Sequence, residues 1–248
     1  MAWTRTERSQ TEISSELPRE PEALTRRDGG YLERALRLLG SGLLFATFGI
    51  GGLLLACIVI PLCARLRRSP EGADIAAQHI LHRAFDCFIR LGVRLHLFSV
   101  EESGTERFRV GVGLIVANHP TLLDVVFLIS RMPQADCVVK RGTWTNPFLR
   151  RIVARAGYIP NDDGEALVNA CIDRLRAGRS ILFCPGGSRS PLRGVGKFQR
   201  GAAHVAIAGS CRITPVVIHC EPPALMKGQA WYALPKCKLQ FSLEVGES

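Results

Sequence analysis

The longest apolar run, residues 38–64, contains no charged side chain. About 20 apolar residues suffice to cross a bilayer, so this run is long enough. Basic residues flank it on both sides, Arg26, Arg27, Arg34 and Arg37 before, and Arg65, Arg67 and Arg68 after. That symmetry gives no orientation by the positive-inside rule. Gly49, Gly51 and Gly52 mark a potential break. Two arrangements stay open: a single span, or a segment that dips in and returns. A buried soluble-core helix fits the length least. Residues 74–91 then place Ile75, Ile80, Leu81, Ala84, Phe85, Phe88 and Ile89 at helical spacing. This amphipathic helix packs on the first segment or lies on a membrane surface.

Beyond residue 92 the pattern changes to short apolar runs alternating with longer periodic ones. Strands are expected at 93–98, 114–117, 137–139, 180–184, 213–218 and 238–245, and helices at 122–130, 147–156, 165–177 and 201–208. Gly178 is a good helix stop. The alternation predicts an α/β fold: a mixed sheet flanked by helices, preceded by an N-terminal membrane-associated helical motif. The expected organisation is a disordered tail over 1–30, polar and aperiodic, a membrane-associated helical segment over 31–92, and an α/β domain over 93–248.

Composition sharpens this. Of the 248 residues 47% are hydrophobic, and the mean hydropathy of +0.12 suits a membrane element. The net charge is +10, and from Arg174 to Cys220 there is no Asp or Glu while Arg174, Arg176, Arg179, Arg189, Arg193, Lys197, Arg200 and Arg212 fall there. Such a stretch points to anionic lipid or phosphate. Nucleic acid is not expected, because aromatics are only 7% and show no interleaved stacking pattern. The nine cysteines are odd in number and form no C-x-x-C pair. This speaks against a disulfide framework or a zinc site, and for a reducing, cytoplasm-facing domain at the inner membrane.

The chemistry concentrates at Asn118-His119-Pro120-Thr121-Leu122-Leu123-Asp124, directly after the apolar strand 114–117. A carboxyl edge is where open α/β sheets bind ligands. His119 is a candidate general base, and Asp124 a group that fixes its tautomer. On one helix a five-residue spacing is about 140° of rotation. The pair therefore works only if His119 lies in the turn and Asp124 in the first helical turn. The bland alternative is a loop histidine beside a capping Asp. His79 and His82, on the amphipathic helix, read as surface or packing residues. Two other motifs fail. Gly186-Gly187-Ser188-Arg189-Ser190 lacks the last Gly of a nucleophile elbow. Gly194-Val195-Gly196-Lys197 is followed by Phe198 and is not a P-loop.

Asn-His-x-x-x-x-Asp at 118–124 resembles the first motif of the glycerolipid acyltransferase family. Phe183-Cys184-Pro185-Gly186-Gly187-Ser188-Arg189-Ser190 is similar to its second motif, Phe-Pro-Glu-Gly-Thr-Arg-Ser. Gly157-Tyr158-Ile159-Pro160-Asn161-Asp162 falls where the third block belongs, and Thr214-Pro215-Val216-Val217-Ile218 resembles the fourth. The wording is nearest to bacterial members encoded with pigment-lipid pathways.

The resemblance implies transfer of an acyl group from acyl-CoA or acyl carrier protein to a lipid hydroxyl, with a lysophospholipid as the expected acceptor. No metal and no bound cofactor is implied. His119 and Asp124 are the expected catalytic pair. Asn118, Gly187, Ser188, Arg189 and Lys197 are the expected substrate-binding residues, Arg as a planar fork for phosphate and Lys as a point charge. Backbone N–H groups near the turn are expected oxyanion donors. One departure stands out: the family's Glu is Gly186 here, and its Thr is Ser188. Two other readings remain: a catalytically silent lipid-binding protein on a membrane surface, and a serine hydrolase using Ser188.

Overall fold

The computed structural model describes residues 30–66, 69–109, 112–146, 149–161, 164–187, 189, 199–230, 232–233, 235 and 237–247. The expected tail lies outside the described residues, apart from Gly30.

The described residues open with a long apolar helix, Tyr31–Arg65. It comprises α1 (Tyr31–Leu54), a π turn (Leu55–Val59) and α2 (Ile60–Arg65). The expected glycine break is absent, and the irregularity falls just after it. Its cause is Pro61, which has no N–H to give the carbonyl four residues back, so the ladder widens before it. One stripe of this helix, including Ser41, Leu44, Ala56 and Ile60, is buried against the rest of the molecule. The opposite stripe, Leu32, Leu36, Leu39, Leu43, Ile50, Leu54, Ile58 and Leu62, is exposed.

Helix α3 (Pro70–Arg94) follows, capped by the Ser69 hydroxyl on the Gly72 N–H. Phe48 of α1 stacks on Phe85 and meets Phe88 edge-on. Here the sequence expectation of a strand at 93–98 is corrected. α3 runs on through Arg94 and ends where His96 takes a left-handed φ of 57°. The His96 and Leu97 N–H groups turn back to Val93 and Gly92, the usual way such an end satisfies its last carbonyls. The strand β1 (Phe98–Ser103) comes after this turn and is mostly polar because it is an edge strand. Gly92 is required at this junction, since a Cβ there would sit 2.3 Å from the Phe98 ring.

The seven-stranded sheet has the order β1-β7-β6-β2-β5-β3-β4. The remaining strands are β2 (Leu114–Ala117), β3 (Asp136–Lys140), β4 (Ile159–Asn161), β5 (Ile181–Phe183), β6 (Ile213–Glu221) and β7 (Leu239–Val245). Pairing is parallel from β6 through β4. β7 is antiparallel to β6, and β1 is parallel to β7, so the sheet is mixed. β4 and a short helix α5 (Arg141–Thr145) escaped the sequence reading.

Alternation along the strands assigns the two faces. Ile115 and Leu182 join a core with Leu81 of α3 and with Leu128 and Ile129 of α4 (Asp124–Arg131). Leu114, Ile181 and Phe183 face the other way. They pack on Leu167 and Cys171 of α7 (Gly164–Arg176) and on Ala202 and Val205 of α8 (Gly201–Gly209). Helix α6 (Arg150–Arg155) completes the first face through Val153. At the amino edge, buried Asp136 pairs with buried Arg179 at 2.7 Å, and Gln78 of α3 donates to Asp136 and to the Ala156 carbonyl.

Candidate active site

The carboxyl ends of β6, β2 and β5 lie side by side, so the loops that leave them converge on one edge. The β2 exit carries Asn118 and His119, and Asp124 is the first residue of α4. The required geometry is present: His119 Nδ1 lies 2.9 Å from Asp124 Oδ2. The Asp124 side chain is fully buried, while His119 keeps about a fifth of its surface exposed. A carboxylate cannot donate, so Nδ1 carries the proton of this bond and Nε2 is left with the lone pair.

Thr121 holds the carboxylate in place. Its N–H donates to Oδ2 and its hydroxyl to Oδ1, each at 2.5 Å. The same hydroxyl accepts from the Leu123 N–H at 3.2 Å. This is a reciprocal cap on the turn entering α4. Sequence reasoning passed over Thr121, although Thr-x-x-Asp before an apolar run was a readable signal.

The other candidates fall differently. Asn118 has both ends of its amide engaged by the backbone of Ile218: Nδ2 donates to the carbonyl at 2.8 Å and Oδ1 accepts from the N–H at 2.7 Å. It therefore continues the β2–β6 ladder past Ala117 and works as a brace, where the sequence suggested substrate binding. Gly187 takes φ +62°, in a turn closed by its N–H on the Cys184 carbonyl. Arg189 Nη1 donates to the carbonyls of Leu225 and Met226, both at 3.0 Å. Ser188 and Lys197 lie outside the described residues. The expected oxyanion donors in the turn are largely spoken for. The N–H groups of Thr121 and Leu123 are engaged as above, that of Leu122 donates to the Leu225 carbonyl, and Pro120 has none.

Sequence reasoning also missed the loop after β6. Its Leu225 is buried with a left-handed φ of 56°. Its carbonyl receives both Leu122 and Arg189, and the Met226 N–H is tied to Gln229 Oε1 at 3.0 Å. Leu123 and Leu225 share an apolar cluster with Leu44 of α1, so the turn backs onto the long helix. Two thiols flank Asp124. Cys184 is pushed up to about 12 by burial and by the Asp124 charge. Cys220 is pushed up to about 11, chiefly by burial, with Asp124 adding to it against a hydrogen bond to Ala224. Both stay protonated near neutral pH and are poor nucleophiles. Among the described residues no group of three or more His, Cys, Asp or Glu side chains is placed to hold a metal ion.

Residues 99–219 match the acyltransferase family model. A 1-acyl-sn-glycerol-3-phosphate acyltransferase of Helicobacter pylori is 32% identical over 146 residues, covering 55% of this chain and 58% of the relative. The corresponding alpha enzyme of Ovis aries is 25% identical over 206 residues, covering 76% and 65%. The chain thus spans less than two thirds of the length of these relatives. The crystal structure of the 1-acyl-sn-glycerophosphate acyltransferase PlsC from Thermotoga maritima superposes with a TM-score of 0.60 at 18% identity, covering 87% of this chain and 85% of that one. That likeness is one of fold. A mixed sheet with a His–Asp turn on its carboxyl edge thus lies within a span, residues 99–219, that is similar to the acyltransferase family, and the relatives named above are 1-acyl-sn-glycerol-3-phosphate acyltransferases.

Proposed function

We propose that this protein is a membrane-bound O-acyltransferase that moves a fatty acyl group from a thioester, acyl-CoA or acyl carrier protein, to the free hydroxyl of a lysophospholipid of the 1-acylglycerol-3-phosphate type. The observation that carries this is the 2.9 Å contact between His119 Nδ1 and Asp124 Oδ2, with the carboxylate buried and gripped by Thr121.

His119 Nε2 takes the proton of the acceptor hydroxyl as its oxygen attacks the thioester carbonyl. Asp124 fixes the tautomer and stabilises the imidazolium that forms. The tetrahedral intermediate then collapses, the C–S bond breaks, and the imidazolium proton goes to the departing thiolate. No protein nucleophile is needed, because a thioester is already activated; the neutral thiols of Cys184 and Cys220 agree with this. Arg189 and Lys197 serve the acceptor phosphate. The protein needs no metal or bound cofactor for these steps.

The long helix supports membrane attachment through its exposed apolar stripe. Its 35 residues extend about 52 Å, well beyond a hydrocarbon core of about 30 Å. Between Ser41 and Ile60, about 28 Å, one side is packed on the molecule. Such a helix favours seating in one leaflet over crossing both, with the catalytic domain facing the cytoplasm. The test is a lipid-resolved transfer assay over a panel of lysolipids and both donors. Wild type should release thiol and form diacyl product, and His119→Ala should lose about 10²–10⁴-fold in rate while remaining folded. Normal turnover by folded His119→Ala would rule the mechanism out.

A further inference from the structure

We propose that α6, with the arginines at its start, is a landing surface for anionic lipid headgroups beside the apolar helix; this rests on the membrane-bound reading above. The exposed stripe of the helix includes Ile50, Leu54, Ile58 and Leu62. α6 packs against the π turn of that helix, and Arg151 Nη1 reaches Cys57 Sγ at 3.4 Å. Its guanidinium therefore sits on the border of the surface that enters lipid. Arg150 is exposed next to it. Among the described residues neither arginine is ion-paired with an acidic side chain. From Cys137 to Asn161 the chain carries Lys140, Arg141, Arg150, Arg151 and Arg155 and no Asp or Glu. Arg155 faces Asp74 and is set aside.

The physical consequence follows from depth. An apolar stripe seated in one leaflet brings side chains on its border to the headgroup layer. A basic residue there strengthens binding to an anionic surface roughly five-fold, and adds nothing on a zwitterionic one. The apolar stripe inserts into either. An acidic carrier protein has charge that also suits these arginines. However, Arg151 touches the helix itself, where a carrier protein cannot sit while that helix is in lipid.

The experiment is flotation of the full chain with vesicles of phosphatidylcholine alone and of phosphatidylcholine mixed with phosphatidylglycerol. Wild type should bind both and prefer the mixture. Arg150→Gln/Arg151→Gln should lose roughly 25-fold on the mixture, two residues at about five-fold each, and nothing on phosphatidylcholine. Arg150→Lys/Arg151→Lys should restore the preference. In nonionic detergent these variants should turn over like wild type. A wild-type preference retained by Arg150→Gln/Arg151→Gln overturns the proposal. So does a raised KM for an acyl carrier protein donor with the lipid preference unchanged. Wild type that binds both vesicles equally overturns it while leaving membrane attachment standing; wild type that binds neither overturns both.

Discussion

Thr121 grips the Asp124 carboxylate from two sides, with its N–H on Oδ2 and its hydroxyl on Oδ1. Thr121→Val keeps the first bond and deletes the second, leaving a buried carboxylate oxygen short of a donor. Such a loss costs about 1–3 kcal/mol. The expected outcome is a lower melting temperature and a several-fold lower kcat. Asp124→Asn should cost far more rate, because it removes imidazolium stabilisation as well. Denaturation curves beside kcat separate the two effects, and a Thr121→Val rate equal to wild type would show that the grip is dispensable.

The raised thiol of Cys184 makes a pH prediction. Its ordinary value is 9.0, and in the fold it is pushed up to about 12. The folded protein therefore holds this proton more tightly than the unfolded chain. The stability linked to it is complete below about pH 9 and is lost as pH rises toward 12. Cys184→Ala should flatten the alkaline fall in melting temperature over that window while keeping activity at pH 7.5. Rapid alkylation of Cys184 in the native protein at neutral pH would contradict a buried, neutral thiol.

Arg189 is tied to the loop after β6 and is proposed to hold the acceptor phosphate, and mutants can divide the two. Arg189→Glu should raise the KM for a phosphorylated acceptor more than for the acyl donor. Arg189→Lys keeps the charge but gives up the fork that reaches the carbonyls of Leu225 and Met226. It should loosen the loop after β6, seen as faster hydrogen exchange at residues 225–229, with a smaller change in acceptor KM. Equal effects of Arg189→Glu on both substrates would remove the phosphate role.

Gly186 stands where the acyltransferase pattern has Glu, so one negative charge is missing from this loop. The expected acceptor is bulkier or more anionic near its phosphate than lysophosphatidic acid, and Gly186→Glu should shift use toward lysophosphatidic acid. Acceptor competition with both folded proteins decides it. A wild type that already prefers lysophosphatidic acid sinks the idea.

High salt alone should leave the full chain in the membrane fraction, because salt screens charge but not apolar insertion. Removing residues 1–68 should leave a weakly bound or aggregating protein. Complete release of the intact chain by salt would contradict an inserted helix.

The sheet and the His–Asp turn were legible because local patterns dictate them. Leu114 to Ala117 is an unbroken apolar strand, and the segment after Asp124 has helical periodicity. β1 was misplaced because Val93, Leu95 and Leu97 alternate like a strand, while the left-handed turn at His96 depends on no such pattern. The bracing role of Asn118 was invisible for another reason: its partner Ile218 is 100 residues away. The loop at Leu225 was missed likewise, since its links to Leu122 and Arg189 exist only after β2, β5 and β6 are assembled.

Ile60 is almost wholly enclosed, in the same cluster as Leu81, Leu128 and Leu182. The helix whose exposed stripe is proposed to meet lipid is thus, on its other side, a wall of the α/β domain's own interior. A tether can be exchanged or clipped without harm to what it holds; this helix cannot. Heating should melt it and the sheet in one transition. If the proposed membrane seating holds, a water-soluble form of the protein would need its outer stripe rewritten residue by residue, with the inner one left untouched.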